Sequence, residues 1–508
     1  MSQQLTKLDL VTPGFRGLNF EQAGSLLPPQ FATQAEDCII DEAGRLAVRQ
    51  GYSDVTTTDI TSNPAIEAIH EYVDNSGSTE IIVAWDGGIA NDVADPEGND
   101  ISGSVTDTSG RWNFANFNDK CIGFQAGQKP IVYNGTGNFA AISESSGTAP
   151  SGGIGTAAFG RVWCVDSDLQ TVQYSGLLDE TDWNTVGDSG SIDMSNVWTD
   201  GTDVVTAIAA FNGALVVFGR RHIVFWVDGQ GSALGLDPDQ IYVADVITGT
   251  GCVSELTVKA VGETDLYFLS DNGVQSLSRV IQERSNPVTN LTGLVRSVLL
   301  SDLNEETFAN IRAVYDAFRG FYLLSLPGAE RTWCIDTRAV GQDGSGVVTT
   351  WTLAPTALCA TRDNKLYFGG TYGVGLYGGF SDAGTDIRFR YRSPWLDLGE
   401  DVGNRTKLLK RIQAILTLGS STDVLFRWWT NFKDVGRSDT VSVTVSSSAE
   451  WGVGEFSIAE FSGSAGLNIL KTPARDRGQY YRIGIEASVS GNFAVSQAEL
   501  AVKIGRLA

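Results

Sequence analysis

The stretch from residue 206 to 279 reads as two consecutive copies of one unit, and that repetition restricts the fold more than any other feature of the chain. The first copy is Thr206-Ala-Ile-Ala-Ala-Phe-Asn-Gly213, then Ala214-Leu-Val-Val-Phe218, a Gly219-Arg-Arg break, and Ile223-Val-Phe-Trp-Val227 closed by Asp228-Gly229. The second is Leu256-Thr-Val-Lys-Ala-Val261, a Gly-Glu-Thr-Asp turn, Leu266-Tyr-Phe-Leu269, Ser270-Asp-Asn-Gly273 and Val274-Gln-Ser-Leu277. Short β-branched and aromatic runs alternate with turns of Gly, Asn and Asp, the residues that supply the positive φ of tight hairpins. A four-stranded antiparallel meander repeating every roughly 40–50 residues predicts β-propeller blades.

Similar units flank this pair. Before it lie 66–73, 80–85 and 88–93; then 112–117, 120–124 and 130–133; then 157–165 with 170–175. After it, 311–315, 320–326, 332–336 and 349–353 form another. Residues 356–361, 365–369 and 373–377 supply a further partial unit, open to completion by a strand from elsewhere. The expectation is an all-β propeller of about six to eight blades over residues 61–384. Residues 1–60 form an extended and hairpin segment: Thr12-Pro-Gly-Phe-Arg16 and Leu26-Leu-Pro-Pro-Gln30 are proline-restricted, and 42–44 turns a hairpin. Residues 385–508 carry longer strands and predict a C-terminal β-sandwich-like platform of about 120 residues. Helical periodicity is nearly absent; the best candidate is 302–313. No apolar run reaches the ~18 residues of a membrane span, and the N-terminus lacks the apolar core of a signal peptide, so synthesis in a cytoplasm is expected.

Chemistry-bearing residues are sparse. The six cysteines are scattered without a C-x-x-C pair and read as buried thiols; the two histidines, His70 and His222, stand in unrelated contexts. The acidic turns at 92–100 and 237–239 lack calcium-loop spacing. Asp107-Thr-Ser-Gly-Arg-Trp112 resembles a sialidase Asp-box only faintly. No catalytic, cofactor or metal residues are singled out, and an enzyme is not expected.

Charge is uneven. The chain carries a net −24; residues 385–508 hold 16 Lys+Arg against 13 Asp+Glu, which leaves −27 on residues 1–384. This serves solubility, or makes a surface that faces DNA without binding it. In Ile387-Arg-Phe-Arg-Tyr-Arg392, alternation puts Arg388, Arg390 and Arg392 on one face of an edge or interface strand. With Arg475 and Arg477, in a basic loop, they are the candidate interface residues, suited to an acidic protein neighbour.

Gly14-Phe-Arg16, Leu26-Leu-Pro-Pro29 and Cys38-Ile-Ile-Asp-Glu-Ala-Gly44-Arg-Leu-Ala-Val-Arg49-Gln-Gly51 carry a resemblance, together with Gly251-Cys-Val-Ser-Glu-Leu and Leu266-Tyr-Phe-Leu-Ser-Asp-Asn-Gly273-Val-Gln-Ser-Leu277. They resemble the tail nozzle (tail hub) proteins of short-tailed bacteriophages, including the packaged-DNA stabilisation family. The resemblance implies a virion structural protein with no catalytic residues to carry over, and places Arg16 and 37–51 in the structured N-terminal part. Its implied partners are further copies in a ring, expected to be a hexamer, the head-to-tail adaptor ring below the portal, tail fibres or spikes, and double-stranded DNA in passage during ejection. The alternative is a polysaccharide-binding or -degrading propeller. A passive capsid or fibre-attachment protein also fits a scaffold without catalytic groups.

Overall fold

The computed structural model describes residues 3–108, 110–184, 188–198, 203–228, 240–262, 264–284, 290–341, 344–370, 373–398, 405–444 and 466–504. Among them, seven small antiparallel sheets follow one another along the chain and form the propeller. Blade 1 is Ile66–Val73, Thr79–Trp85 and Gly88–Ala90; blade 2 is Asn113–Phe117, Lys120–Phe124, Ile131–Tyr133 and Ala140–Ala141. Blade 3 is Gly155–Ala158, Arg161–Val165, Thr171–Tyr174 and Gly190–Asp193; blade 4 is Val205–Phe211, Ala214–Gly219, His222–Asp228 and Ile241–Thr248. Blade 5 is Lys259–Val261, Asp265–Ser270 and Gly273–Ser276; blade 6 is Arg312–Asp316, Phe321–Leu326, Arg331–Asp336 and Val347–Trp351. Blade 7 is Ala357–Ala360, Leu366–Gly369 and Val374–Tyr377, and its outer strand is Tyr52–Asp54 from the N-terminal segment. First strands of successive blades touch round the axis, with the 3-10 turn Glu255–Thr257 bridging blades 4 and 6 beside blade 5.

The sequence explains the blades locally. Asn118-Asp119, Phe159-Gly160 and Asn212-Gly213 all take positive φ at the first hairpin of blades 2, 3 and 4, the geometry of a two-residue turn that matches strand twist. Second strands such as Ala214–Gly219 and Phe321–Leu326 are buried on both faces because each blade is sandwiched between two others. They are therefore continuous apolar runs rather than alternating ones. Separate apolar clusters fill the gaps between neighbouring blades. Phe218 of blade 4 meets Phe268 of blade 5 at 5.2 Å between ring centroids, and Trp351 of blade 6 stacks on Tyr377 of blade 7 at 5.5 Å.

The helix expected at 302–313 lies earlier, at Arg296–Asn304, with a shorter one at Leu277–Glu283. Val295, Leu299 and Leu303 are spaced four apart and buried, so they set the helical face, whereas Arg312–Asp316 is recruited as the innermost strand of blade 6. No described helix is long and apolar enough to cross a membrane. All six cysteines are buried and free.

The C-terminal part is a two-sheet sandwich. Lys407–Leu418 pairs with Gly466–Gly478 and with Phe493–Ile504; facing them are Thr385–Arg392, Tyr481–Val489, Thr422–Thr430 and Arg437–Val443. Phe389 and Phe493 meet between the sheets at 4.8 Å.

The N-terminal segment threads both parts. Gln3–Asp9 and the hairpin Cys38–Ile40/Leu46–Val48 extend the first sandwich sheet along Phe493–Ile504. Gln34–Glu36 lies between Thr385–Arg392 of the sandwich and Val347–Trp351 of blade 6, so one sheet runs from propeller to sandwich. At the junction Arg49 is 1% exposed, with its Nε 2.7 Å from Asp37 Oδ1 and its Nη2 2.5 Å from Asp382 Oδ2. Asp37 also accepts the amide and hydroxyl of Thr352 at 3.0 and 2.8 Å, which adds blade 6 to the network. Burial works against the guanidinium charge, but Asp382 and Asp37 outweigh it and hold its pKa above the ordinary range. Arg49→Leu leaves two carboxylates without their cation, and urea unfolding should show a loss of about 3–5 kcal/mol.

Candidate functional sites: the propeller axis and a basic sheet face

Three first strands repeat one pattern of apolar, charged, Ala, apolar: Ile66-Glu67-Ala68-Ile69, Val258-Lys259-Ala260-Val261 and Ile311-Arg312-Ala313-Val314. The charged position turns toward the axis. There Glu67, Lys259 and Arg312 are joined by Asp107 and Arg111, from the connection into blade 2, and by Glu255, from the bridging turn. Arg111 Nη2 lies 2.9 Å from Glu255 Oε1 and donates to Ser254 Oγ at 3.2 Å. Arg312 reaches back to blade 1, donating to the Glu67 carbonyl at 3.3 Å from Nη2, and Nη1 donates to Ala309 O at 2.5 Å.

Uncharged axial side chains bind backbone carbonyls of neighbouring segments in the same way. Thr356 Oγ1 donates to Ile66 O at 2.7 Å, Asn113 Nδ2 to Gly155 O at 2.9 Å, Asn116 Nδ2 to Glu71 O at 2.9 Å and Thr206 Oγ1 to Cys252 O at 2.8 Å. These bonds tie blade 7 to blade 1, blade 1 to blade 2, blade 2 to blade 3, and blade 4 to the segment that follows it.

Electrostatics at the axis follow from burial. Burial, then a hydrogen bond and charge from Asp107, raises the Glu67 carboxyl to about 8, so it keeps its proton at neutral pH. Burial also raises Glu255, opposed by Arg111, Arg312 and Lys259, and lowers Lys259. Arg312 falls to about 10 through burial and then repulsion from Arg111. His70, lowered to about 4 by burial, is neutral; its Nε2 lies 3.1 Å from Asn116 Oδ1. Glu67 Oε2, Glu255 Oε2 and Arg111 Nε have no hydrogen-bond partner. The cavity beside them, lined by Glu67, His70, Lys259 and Arg312 among others, measures about 100 Å³. That is well below the ~300 Å³ at which ligand pockets begin. No group of three or more His, Cys, Asp or Glu is placed to hold a metal among the described residues.

The basic face belongs to the second sandwich sheet. Ile387, Phe389 and Tyr391 point into the core while the arginines point out, as alternation requires. The strand is not an edge: Gln34–Glu36 covers one side and Tyr481–Val489 the other. An N-terminal strand pairing across more than three hundred residues cannot be read from the local pattern. Arg388 Nη2 lies 3.1 Å from Glu486 Oε2, and Arg390 Nη1 lies 2.6 Å from Glu36 Oε1. Arg392 sits over the Trp429 ring at 4.7 Å. The same face gains two arginines missed in the sequence: Arg427, 2.7 Å from Glu486, and Arg482, 4.6 Å over the Trp395 ring. Burial lowers both Arg392 and Arg482, and for Arg482 the charge of Arg392 adds to it. Arg475 and Arg477 stand elsewhere. They are exposed on Gly466–Gly478 of the other sheet, in a strand and not the expected loop, because the register with Lys407–Leu418 runs on through Leu408–Arg477.

No protein-family model matches the chain, and no curated protein matches it. Solved structures share a likeness to it at low identity. Two structures of the extracellular domain of BT4673 from B. thetaiotaomicron are both 11% identical; one covers 87% of this chain with a TM-score of 0.40, the other 71% with 0.32. The chain spans 62% and 39% of their lengths, less than two-thirds in each case. An exo-β-1,3-galactanase from Phanerochaete chrysosporium is 9% identical over 79% of this chain and 99% of its own, with a TM-score of 0.23. Likenesses of this size assign no activity to the chain.

The axial carboxyl gives a pH signature. Glu67 holds its proton in the folded chain up to about 8, whereas the ordinary value for a glutamate carboxyl, as in the unfolded chain, is 4.5. Between those values the folded chain binds the extra proton, so stability falls as pH rises through that window. Glu67→Gln keeps the neutral form. Its melting temperature should match the wild type near the bottom of the window and exceed it at the top; equal curves throughout would contradict the assignment.

Proposed function

We propose that this chain is a structural subunit of a phage tail: a nozzle ring below the portal and adaptor that retains packaged DNA and passes it during ejection. The observation that carries the reading is the narrow, cross-bonded axis. Several of its polar side chains bond neighbouring segments and the cavity left measures only about 100 Å³, which suits a scaffold better than the cleft of a propeller enzyme. The N-terminal strands fasten that scaffold to a second domain. The resemblance of residues 14–16, 26–29 and 38–51 to nozzle proteins supplies the finer identity. The −27 of residues 1–384 suits a wall along which a polyanion slides without binding, because like charge removes the counterion-release attraction. Ring formation requires one heterologous contact that closes by rotation.

A second reading rests on the axial carboxyls. Glu67 and Glu255 are both raised by burial and have unpartnered oxygens. Carboxyls raised by burial are the group type that serves as general acid in glycoside hydrolysis, which favours a polysaccharide-binding or -degrading propeller. Deletion of the reading frame from its genome separates the two. Filled heads that leak DNA and lack the distal tail are expected for a nozzle. Particles that keep genome and tail but lose polysaccharide binding or cleavage, with the loss reproduced by Glu255→Gln, would establish the second reading.

A further inference from the structure

Most arginines of the basic face are neutralised within the molecule, and two are not. Glu486 serves Arg388 and Arg427, and Glu36 serves Arg390. Arg392 and Arg482 make no ion pair among the described residues. Each is instead mounted on a tryptophan, Trp429 and Trp395, and Arg482 Nε is buried without a partner. Two guanidinium groups, both partly desolvated and neither held in an ion pair among the described residues, form a seat for negative charge.

The surroundings are those of a protein contact. Phe432 is 50% exposed and wedged between Trp395 at 4.8 Å and Tyr480 at 5.0 Å. It is held at φ 59 directly after Asn431 at φ 50, a conformation unusual for a bulky side chain and found where surrounding structure enforces it. Val435, three residues on, is 87% exposed. Trp395 N donates to Gly24 O, and Leu26 in that same loop is 79% exposed. Tryptophan, tyrosine and arginine around an exposed apolar centre are the composition of interface hot spots.

The complementary surface is on the chain itself. From Gln50 to Gly110 there are twelve Asp and Glu and not one Lys or Arg. Asp54, Asp59, Asp86, Glu97 and Asp100 in this span are exposed and make no ion pair among the described residues. No hydrogen bond or ion pair joins residues 55–110 to 385–504 within the described molecule. We infer that Arg392, Arg482 and Phe432 of one subunit receive the anionic blade 1 surface of a second copy of this chain. This rests on the ring reading and names its contact. Two different surfaces make the contact heterologous, so repetition generates a ring, and opposite charge sets its register.

The test is sedimentation of the full chain at low and high salt. Wild type should assemble, and less so at high salt. Arg392→Glu/Arg482→Glu should weaken self-association by about tenfold or more. Asp59→Lys/Glu97→Lys should do the same, and mixing the two variants should restore assembly. Phe432→Ala, whose ring is half exposed, should lose assembly with an unchanged melting temperature and so guards against misfolding as the cause. Assembly indifferent to these changes overturns the contact and leaves the ring standing. Wild type that stays monomeric at every concentration overturns both. Duplex DNA binding that depends on Arg392 and Arg482 would make nucleic acid the occupant and also overturn the proposal.

Discussion

One buried cation holds the molecule's parts in register. Arg49 comes from the N-terminal segment, Asp37 from the bend between its strands, and Asp382 from the exit of blade 7 toward the sandwich. Thr352 and Trp351, at the end of blade 6, complete its surroundings through Asp37 and the indole face. A buried ion pair is weak grounds for stability, since desolvation offsets much of its attraction. Its value here is positional. A guanidinium fixed by two carboxylates in fork geometry allows one arrangement of three chain segments and punishes the others.

Around that point the N-terminal segment works as a seam. Tyr52–Asp54 completes blade 7 beside blade 1, so the last blade is closed by chain made first. The hairpin 38–48 and the strand Gln3–Asp9 extend a sandwich sheet formed from residues beyond 400. Such pairings are paid for in loop-closure entropy and reward the chain only when the rest has formed. They join the propeller and the sandwich through shared strands.

The blades were legible in the sequence because the physics that makes them is local: apolar runs of strand length, and Asn-Gly-type turns such as Asn212-Gly213. The missing strand of blade 7 was legible as a deficit, but its donor was not, because three strand-forming residues at Tyr52–Asp54 carry no signal of their distant partner. The same limit left Ile387–Arg392 as an edge or interface strand, since Gln34–Glu36 was not visible as its cover. The axial charges escaped notice for another reason. Glu67, Lys259 and Arg312 each sit alone in a blade, and only the superposed repeats show that the position after the apolar residue faces the axis. The helix was misplaced because the acidic Asp302 marks its end and not its start; Asp302 is there to meet Arg331 and Trp333.

Charge is used in two ways. At the axis, opposite signs meet in a small space, with Arg111 paired to Glu255 and Arg312 bonded back to blade 1. At the periphery they are segregated, with blade 1 anionic and the sandwich face rich in arginine. Both uses presuppose one rigid body joined at the N-terminal seam. Hydrogen exchange followed by mass spectrometry tests that premise most directly. The amides of Cys38–Ile40, Leu46–Val48 and Tyr52–Asp54 are predicted to stay protected as long as those of Phe321–Leu326 and Phe493–Ile504, and to open with them. An N-terminal segment that exchanges within seconds while blades and sandwich remain protected would contradict the account.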